Sequence, residues 1–402
     1  MAHVQYLKME GNSIGFWALL ALLGAFLLAG VGSAWYMEHN GHWVTGMSNQ
    51  VIWGTPHVFA VFLIVAASGA LNVASIASVF SRQLYKPLAR LSALLSLALL
   101  AGGLAVLVLD LGRHDRLLVA MTYYNFKSIF AWNIFLYIGF MAVVVVYLWM
   151  MFERRFNDYT KQAGMTAFIW RLVLTTGTGS IFGFLVARDA YDSALLAPMF
   201  IINSFAYGLA IFLMVVMAAA RWTGRELGDV MVTRLKNLLG VFVAAVLYFV
   251  TVYHLTNLYM TGKHDFERFI LLDGGVYTRM FWIGQILVGG VIPLVLLYSR
   301  LGRSRAMVVL ASLLIVVGGV AQMYVTIIAG QVFPMAMFPD KIVTSGFFDG
   351  VVATYAPSLP ELLLGVSGIA LALVITVFAI KVLPFLPQSL ADADVDPHHK
   401  AA

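Results

Sequence analysis

Long apolar stretches alternate with short polar loops along the whole chain. The stretches run roughly over 14–34, 54–80, 88–110, 126–152, 168–187, 195–220, 235–260, 278–299, 306–331 and 361–383. Most hold about 20 residues or more, the length a helix needs to cross ~30 Å of hydrocarbon. A backbone in lipid must satisfy its own hydrogen bonds, so these stretches predict helices rather than strands. The pattern predicts an all-α polytopic membrane protein with ten transmembrane helices. Residues able to do chemistry cluster near one end of the stretches, so function is expected in the helical bundle and its short loops.

Composition narrows the classes. The 402 residues are 61% apolar and only 11% charged, against about 25% charged in a soluble globule. The first stretch, Ile14–Ala34, lacks a basic leader and a clean cleavage site and reads as a retained helix. The net charge of +6 reflects membrane topology, and no nucleic acid is expected as a partner. There is no cysteine. The protein therefore cannot ligate an iron–sulfur cluster through thiolates, attach a c-type haem or run a thiol redox pair. Electrons that cross it must be held by another subunit or by a diffusible carrier.

Lysine and arginine fall into alternating loops. Seventeen of the 25 lie in one set, around Lys8, 82–90, 154–171, 221–236, 300–305 and at Lys381 and Lys400. The other eight, from Arg113 to Lys341, lie in the opposite set. The positive-inside rule puts the larger set, and both termini, in the cytoplasm. Lipid headgroups account for those basic clusters. The outward loops 35–53, 111–125, 188–194, 261–277 and 332–360 carry aromatics, histidines, acids and prolines. Loop 332–360 is long enough to cover a site or a partner surface. The tail from Pro387 is expected to be disordered, and His398-His399 is a weak metal suggestion.

Polar side chains at membrane depth are the functional candidates. His57 lies one turn into the second helix, after Trp53-Gly54-Thr55-Pro56, where proline in a first turn costs little. It reads either as a packed histidine bonded to a carbonyl or as a proton-handling group. Asp110 closes the third helix, with Arg113 three residues on, within reach of an ion pair. That pair is either structural or sets the charge of a proton-accepting carboxylate. Asn125, Trp132 and Asn133 flank the start of the fourth helix. An aromatic belt explains Tyr124 and its neighbours, but an amide in hydrocarbon wants a partner. In the second half, His254, Asn257 and Gln285 form either a second polar pocket or ordinary interhelical hydrogen bonds. Paired glycines such as Gly289-Gly290 and Gly318-Gly319 let helices approach closely. His57 and His254 are the one buried pair that could ligate a haem.

Asp110-Leu111-Gly112-Arg113 after the third helix, with Asn125 to Trp132 leading the fourth, resembles the NrfD/PsrC family of quinone-reactive membrane subunits. Trp53-Gly54, Gly330-Gln331-x-x-Pro334 and Pro357-Ser358-x-x-Glu361 fit the same pattern. Length and helix count resemble the longer branch of HybB-like, DsrP-like and ActC/ActF-like subunits. The resemblance covers essentially the whole chain. It implies two four-helix bundles, helices 2–5 and 6–9, flanked by helices 1 and 10. The divisions are then 1–53, 54–187 for the first bundle, 195–331 for the second, 332–383 and a tail at 384–402. It also implies a haem-free subunit of a bacterial or archaeal cytoplasmic (inner) membrane. Menaquinone or ubiquinone would bind near the outer face. An adjacent ferredoxin-like iron–sulfur subunit would exchange electrons with it, and a molybdopterin enzyme or a multihaem cytochrome could lie beyond.

Quinol oxidation releases two electrons and two protons, and the residues suit that chemistry. His57 or Asp110 takes a proton through a positioned hydrogen bond. Trp132 packs on the ring, Asn125 neighbours it, Arg113 holds Asp110 charged, and His254 marks a second, less recognisable pocket. Proton translocation through the bundles is a further expectation of the family. Two rival classes stay open at this stage. A secondary transporter would suit ten glycine-rich helices, but it usually needs a central site reached from both faces. A structural anchor would bind no quinone.

Overall fold

The computed structural model describes residues 5–335 and 350–395. It is helical almost throughout, with one two-residue strand pair. The long helices are α1 (Ile14–Asn40), α2 (Thr55–Ser78), α3 (Ala89–Leu109), α4 (Ile129–Phe152) and α5 (Thr160–Gly183). They continue with α6 (Leu196–Thr223), α7 (Asp229–Tyr259), α8 (Val276–Tyr298), α9 (Arg305–Val332) and α10 (Leu359–Val382). Among the described residues, nine helices are long and apolar enough to cross a membrane. The remaining long helix is α5, which is of similar length but carries Arg171 and the run Thr175-Thr176-Gly177-Thr178-Gly179-Ser180.

Local signals set the helix starts. Ser13 and Ser128 cap α1 and α4 through their hydroxyls. Pro56 sits in the first turn of α2. Ser358 and Glu361 form a reciprocal capping box at the start of α10, satisfying two backbone donors that would otherwise be orphaned.

α2, α3, α4 and α5 contact one another as the first bundle, and α6, α7, α8 and α9 as the second. The junction is α2 and α5 against α6, with α9 also touching α2. α1 and α10 do not flank the molecule from two sides. They pack on each other, and α10 packs on α2 and α3 of the first bundle. α2 is the pivot, with nearly every residue from Thr55 to Ala70 buried. Its crossing with α6 is backbone on backbone. A Cβ on Gly69 would strike the Ser204 carbonyl, and one on Gly208 would strike Gly69 and Ala70.

The two ends of the chain meet. Strand β1 (Tyr6–Leu7) pairs antiparallel with β2 (Leu386–Pro387). Arg225 donates to the Pro387 carbonyl at 2.8 Å. Asp392 accepts from the backbone N–H groups of Asp229 and Val230 at the start of α7, where a carboxylate is favoured by the helix dipole. The expected disorder from Pro387 is therefore corrected for the tail up to Val395. Its backbone is held by Arg225 and its Asp392 carboxylate by the start of α7. His398 and His399 lie outside the described residues.

Arg171 also departs from its expected place in a basic loop. It is buried in α5, where its guanidinium donates to the Ser68 carbonyl and Asn72 side chain of α2 and lies against the rings of Phe168 and Phe205. Charge alternation marks loops only when a basic side chain has no internal acceptors.

The backbone crossing predicts a contrast. Gly208→Ala overpacks the α2–α6 junction and should lower stability by about 1–3 kcal/mol. Gly24→Ala, on α1 with open space around it, should be neutral. Thermal unfolding of the two variants in the same lipid or detergent checks this.

Candidate functional site

The first site is built where α2 begins and α3 ends. Pro56 starts α2 and places His57 in its first turn; Asp110 caps the C-terminus of α3. The two side chains meet, His57 Nδ1 to Asp110 Oδ2, at 2.8 Å. The aspartate side chain is 2% exposed and the histidine 16%. A carboxylate on Nδ1 fixes the ring's orientation and leaves Nε2 to face a reactant. Asp110 Oδ1 is buried and has no hydrogen-bond partner among the described residues. An unmet carboxylate oxygen is costly in an apolar setting, and it is an acceptor waiting for a donor.

Aromatic rings frame this dyad. Trp53 stacks on His57, with centroids 5.9 Å apart and planes 16° apart. Phe130 of α4 and Phe182 of α5 pack against Trp53. Trp132 lies in a different cluster, with Tyr124, Phe126 and Phe135. Its indole N–H donates to the Phe126 carbonyl at 2.8 Å, and it is 44% exposed. Asn125 is exposed and accepts from the Lys127 backbone N–H. The Tyr124 hydroxyl is buried without a partner among the described residues. Asn133 is satisfied by the carbonyls of Ile129 and Gly177, so its amide is structural.

The expected Asp110–Arg113 ion pair does not form. Arg113 turns outward and binds Asp115 through two 3.0 Å hydrogen bonds. Those bonds hold the Asp115 carboxyl below its ordinary range. The reason is local. α3 stops at Asp110, and the chain leaves helical geometry at Arg113. The three-residue spacing then no longer stacks the two side chains on one face. Asp110 stays inside and takes its partner from α2.

A buried network fixes the segment that leads into α2. Gln331 Oε1 accepts from the backbone N–H groups of Ile52 and Trp53, both at 2.9 Å. Its Nε2 donates to the carbonyls of Trp53 and Ile327. Arg188 donates to the carbonyls of Gln331 and Gln50, and burial pushes its guanidinium pKa down. Glu361 is fully buried and accepts from Gly46 N–H, Ser358 N–H and the Tyr355 hydroxyl. Thr55 N–H in turn donates to Tyr355. These bonds give a physical account of Gln331 and Glu361, which the sequence offers only as pattern positions.

The second bundle carries a parallel pair. His254 Nδ1 meets Glu267 Oε2 at 2.7 Å, and Asn257 donates to Glu267 Oε1 at 2.8 Å. Glu267 is fully buried. It sits in the loop between α7 and α8, and the sequence reading misses it. The available signal is an acid between Phe266 and Phe269, whose rings both pack on Phe333. Gln285 lines a cavity with His254, but Asn257 faces the glutamate. Among the described residues, no three His, Asp or Glu side chains group as a metal site.

The matching family model, polysulphide reductase NrfD, spans residues 43–335. The chain belongs to the NrfD family. It is 29% identical to the Hdr-like menaquinol oxidoreductase integral membrane subunit of Archaeoglobus fulgidus, over 98% of this chain and 99% of that protein. It is 22% identical to a selenate reductase subunit of Mesobacillus selenatarsenatis, over 90% of this chain and 93% of that one. A polysulfide reductase chain of Wolinella succinogenes is 24% identical and matches 71% of this chain with 96% of its own length. The last figures make that relative a shorter protein, as the longer-branch reading expects.

The network carries a prediction. Gln331→Leu leaves the Ile52 and Trp53 backbone groups unmet, at about 1–3 kcal/mol for each buried one. Amide exchange in a peptide covering 48–55 should accelerate. A peptide covering the paired termini should keep its rate. Hydrogen-exchange mass spectrometry reads both.

Proposed function

We propose that this protein is the quinone-reactive membrane subunit of a redox complex, binding its quinone ring beside His57 and Asp110. The observation that carries the reading is the unmet, buried Asp110 Oδ1 next to a histidine whose Nδ1 is already held. A quinol hydroxyl supplies the missing donor. Its proton is released into the dyad, where His57 is the base and Asp110 stabilises the imidazolium that forms. Trp53 and Phe130 offer ring faces for stacking. Trp132, Tyr124 and Asn125 belong to the neighbouring cluster at the start of α4 and are assigned no direct contact with the ring, and neither is the exposed Arg113–Asp115 pair. Two electrons leave for an acceptor in another subunit and two protons leave through the dyad. In the reducing direction the same groups supply protons.

The relatives' names support this reading: one is a menaquinol oxidoreductase subunit, the others belong to a selenate reductase and a polysulfide reductase. Menaquinone or ubiquinone is the expected carrier. Since the protein has no cysteine, the electron centre is assigned to a ferredoxin-like iron–sulfur subunit docked over loops 111–125 and 188–194. A molybdopterin enzyme or a multihaem cytochrome would lie beyond. The basic bias argues for both termini in the cytoplasm and the dyad toward the outer face of a prokaryotic cytoplasmic membrane. The transporter reading is weaker, because the polar groups gather at one end.

Asp110→Asn should reduce quinol turnover by about 10²–10⁴-fold, the range of general acid–base contributions, with the same subunits still assembled. Normal turnover at saturating quinol would leave Asp110 a structural cap. Reporters fused to each terminus should both report cytoplasm.

A further inference from the structure

The second bundle contains a His–carboxylate pair that the proposed chemistry does not use, and its surroundings differ from those of the first. Glu267 has both oxygens met, by His254 and Asn257. Each of its oxygens therefore already has a partner, unlike Asp110 Oδ1. Next to the pair lies a cavity lined by His254, Tyr253, Gln285, Gln322 and Thr326. Its free space is about 30 Å³. That is room for about two waters and far too little for a ring. A smaller space of about 10 Å³ shares Gln285 and Gln322 and runs on to Tyr207.

Gln322 gives the independent sign of a ligand. Its Oε1 accepts from the Tyr207 hydroxyl at 2.5 Å, but its Nε2 is buried with no partner among the described residues. A buried amide donor beside a water-sized polar space is normally met by water. Gln285 comes from Met280–Val291, a π-helical part of α8, and such stretches recur at functional sites.

We propose that the His254–Glu267 pair is a proton-binding site, fed by water held between Gln285 and Gln322. The ligand is a proton delivered by water, not a quinone. The charged groups around it are few. Lys263, which donates to the carbonyls of Tyr191 and Asp192, feels the Glu267 charge, as does Tyr253. Asp189 and Asp192 lie beyond Lys263. α8 contributes Tyr277, stacked on Tyr324 of α9, and Arg279 in its first turn. The Phe281 ring packs edge-on against His254. One carboxylate and one imidazole therefore share the site, with the Lys263 cation close enough to feel the carboxylate charge.

The test is infrared difference spectroscopy of the full protein in lipid, between acid and alkaline pH, in H₂O and D₂O. A protonated-carboxyl band should appear on acidification and shift in D₂O. It should vanish in Glu267→Gln and persist in Asp110→Asn, which separates it from the quinone site. Gln322→Leu should slow exchange of that proton into D₂O several-fold. A pH-independent Glu267, or exchange unchanged by Gln322→Leu, would overturn the proposal. If Glu267→Gln does not fold, nitrogen-15 NMR of labelled histidine decides. The His254 signal, identified by its loss in His254→Gln, should titrate, and a fixed signal would refute the site.

Discussion

A carboxylate placed at the end of an apolar helix must find donors inside the protein, and three carboxylates here organise one whole end of the molecule. Asp110 ties the end of α3 to the start of α2 through His57. Glu267 ties the α7–α8 loop back to α7 through His254 and Asn257. Glu361 ties the start of α10 to the segment that leads into α2. Removing one partner of such a group costs far more than a surface pair, because the other is left buried and unmet. The loops at this end are thus as constrained as the helices.

That constraint also explains how a site can be precise at the rim of a bundle. Trp53 is not inside a helix, yet Gln331 holds both its N–H and its carbonyl. Its ring is then fixed on His57. Helix packing alone would not do this, since apolar side chains in a lipid-facing bundle gain little from meeting one another. Directional hydrogen bonds across α2, α9 and α10 do.

Much of this was readable from the residues and some was not. Stretch length marked the helices well, because span length is dictated by bilayer thickness. It marked α5 less cleanly, since Arg171 and the threonine-rich run dilute its apolarity. His57 and Asp110 stood out because ionisable groups at depth demand a reason. Their pairing did not, because it joins positions 53 residues apart, whereas Arg113 was the obvious local partner. Glu267 was hidden by standing in a loop rich in other charges. The ordered tail was hidden for a similar reason: Asp392 looks solvated until the start of α7 is placed beside it.

Each bundle carries a histidine–carboxylate pair, and the two differ in how far the carboxylate is partnered, which decides what each can bind. Asp110 keeps one oxygen unmet and is framed by Trp53 and Phe130. Glu267 has a partner on each oxygen and is bordered by amides. An aromatic frame with a vacant acceptor suits a flat ring that carries a hydroxyl. A carboxylate partnered on both oxygens, beside glutamines and a water-sized space, suits only a small polar guest. A histidine–carboxylate pair is therefore a shared module, and its neighbours, not the pair itself, divide the work between the bundles.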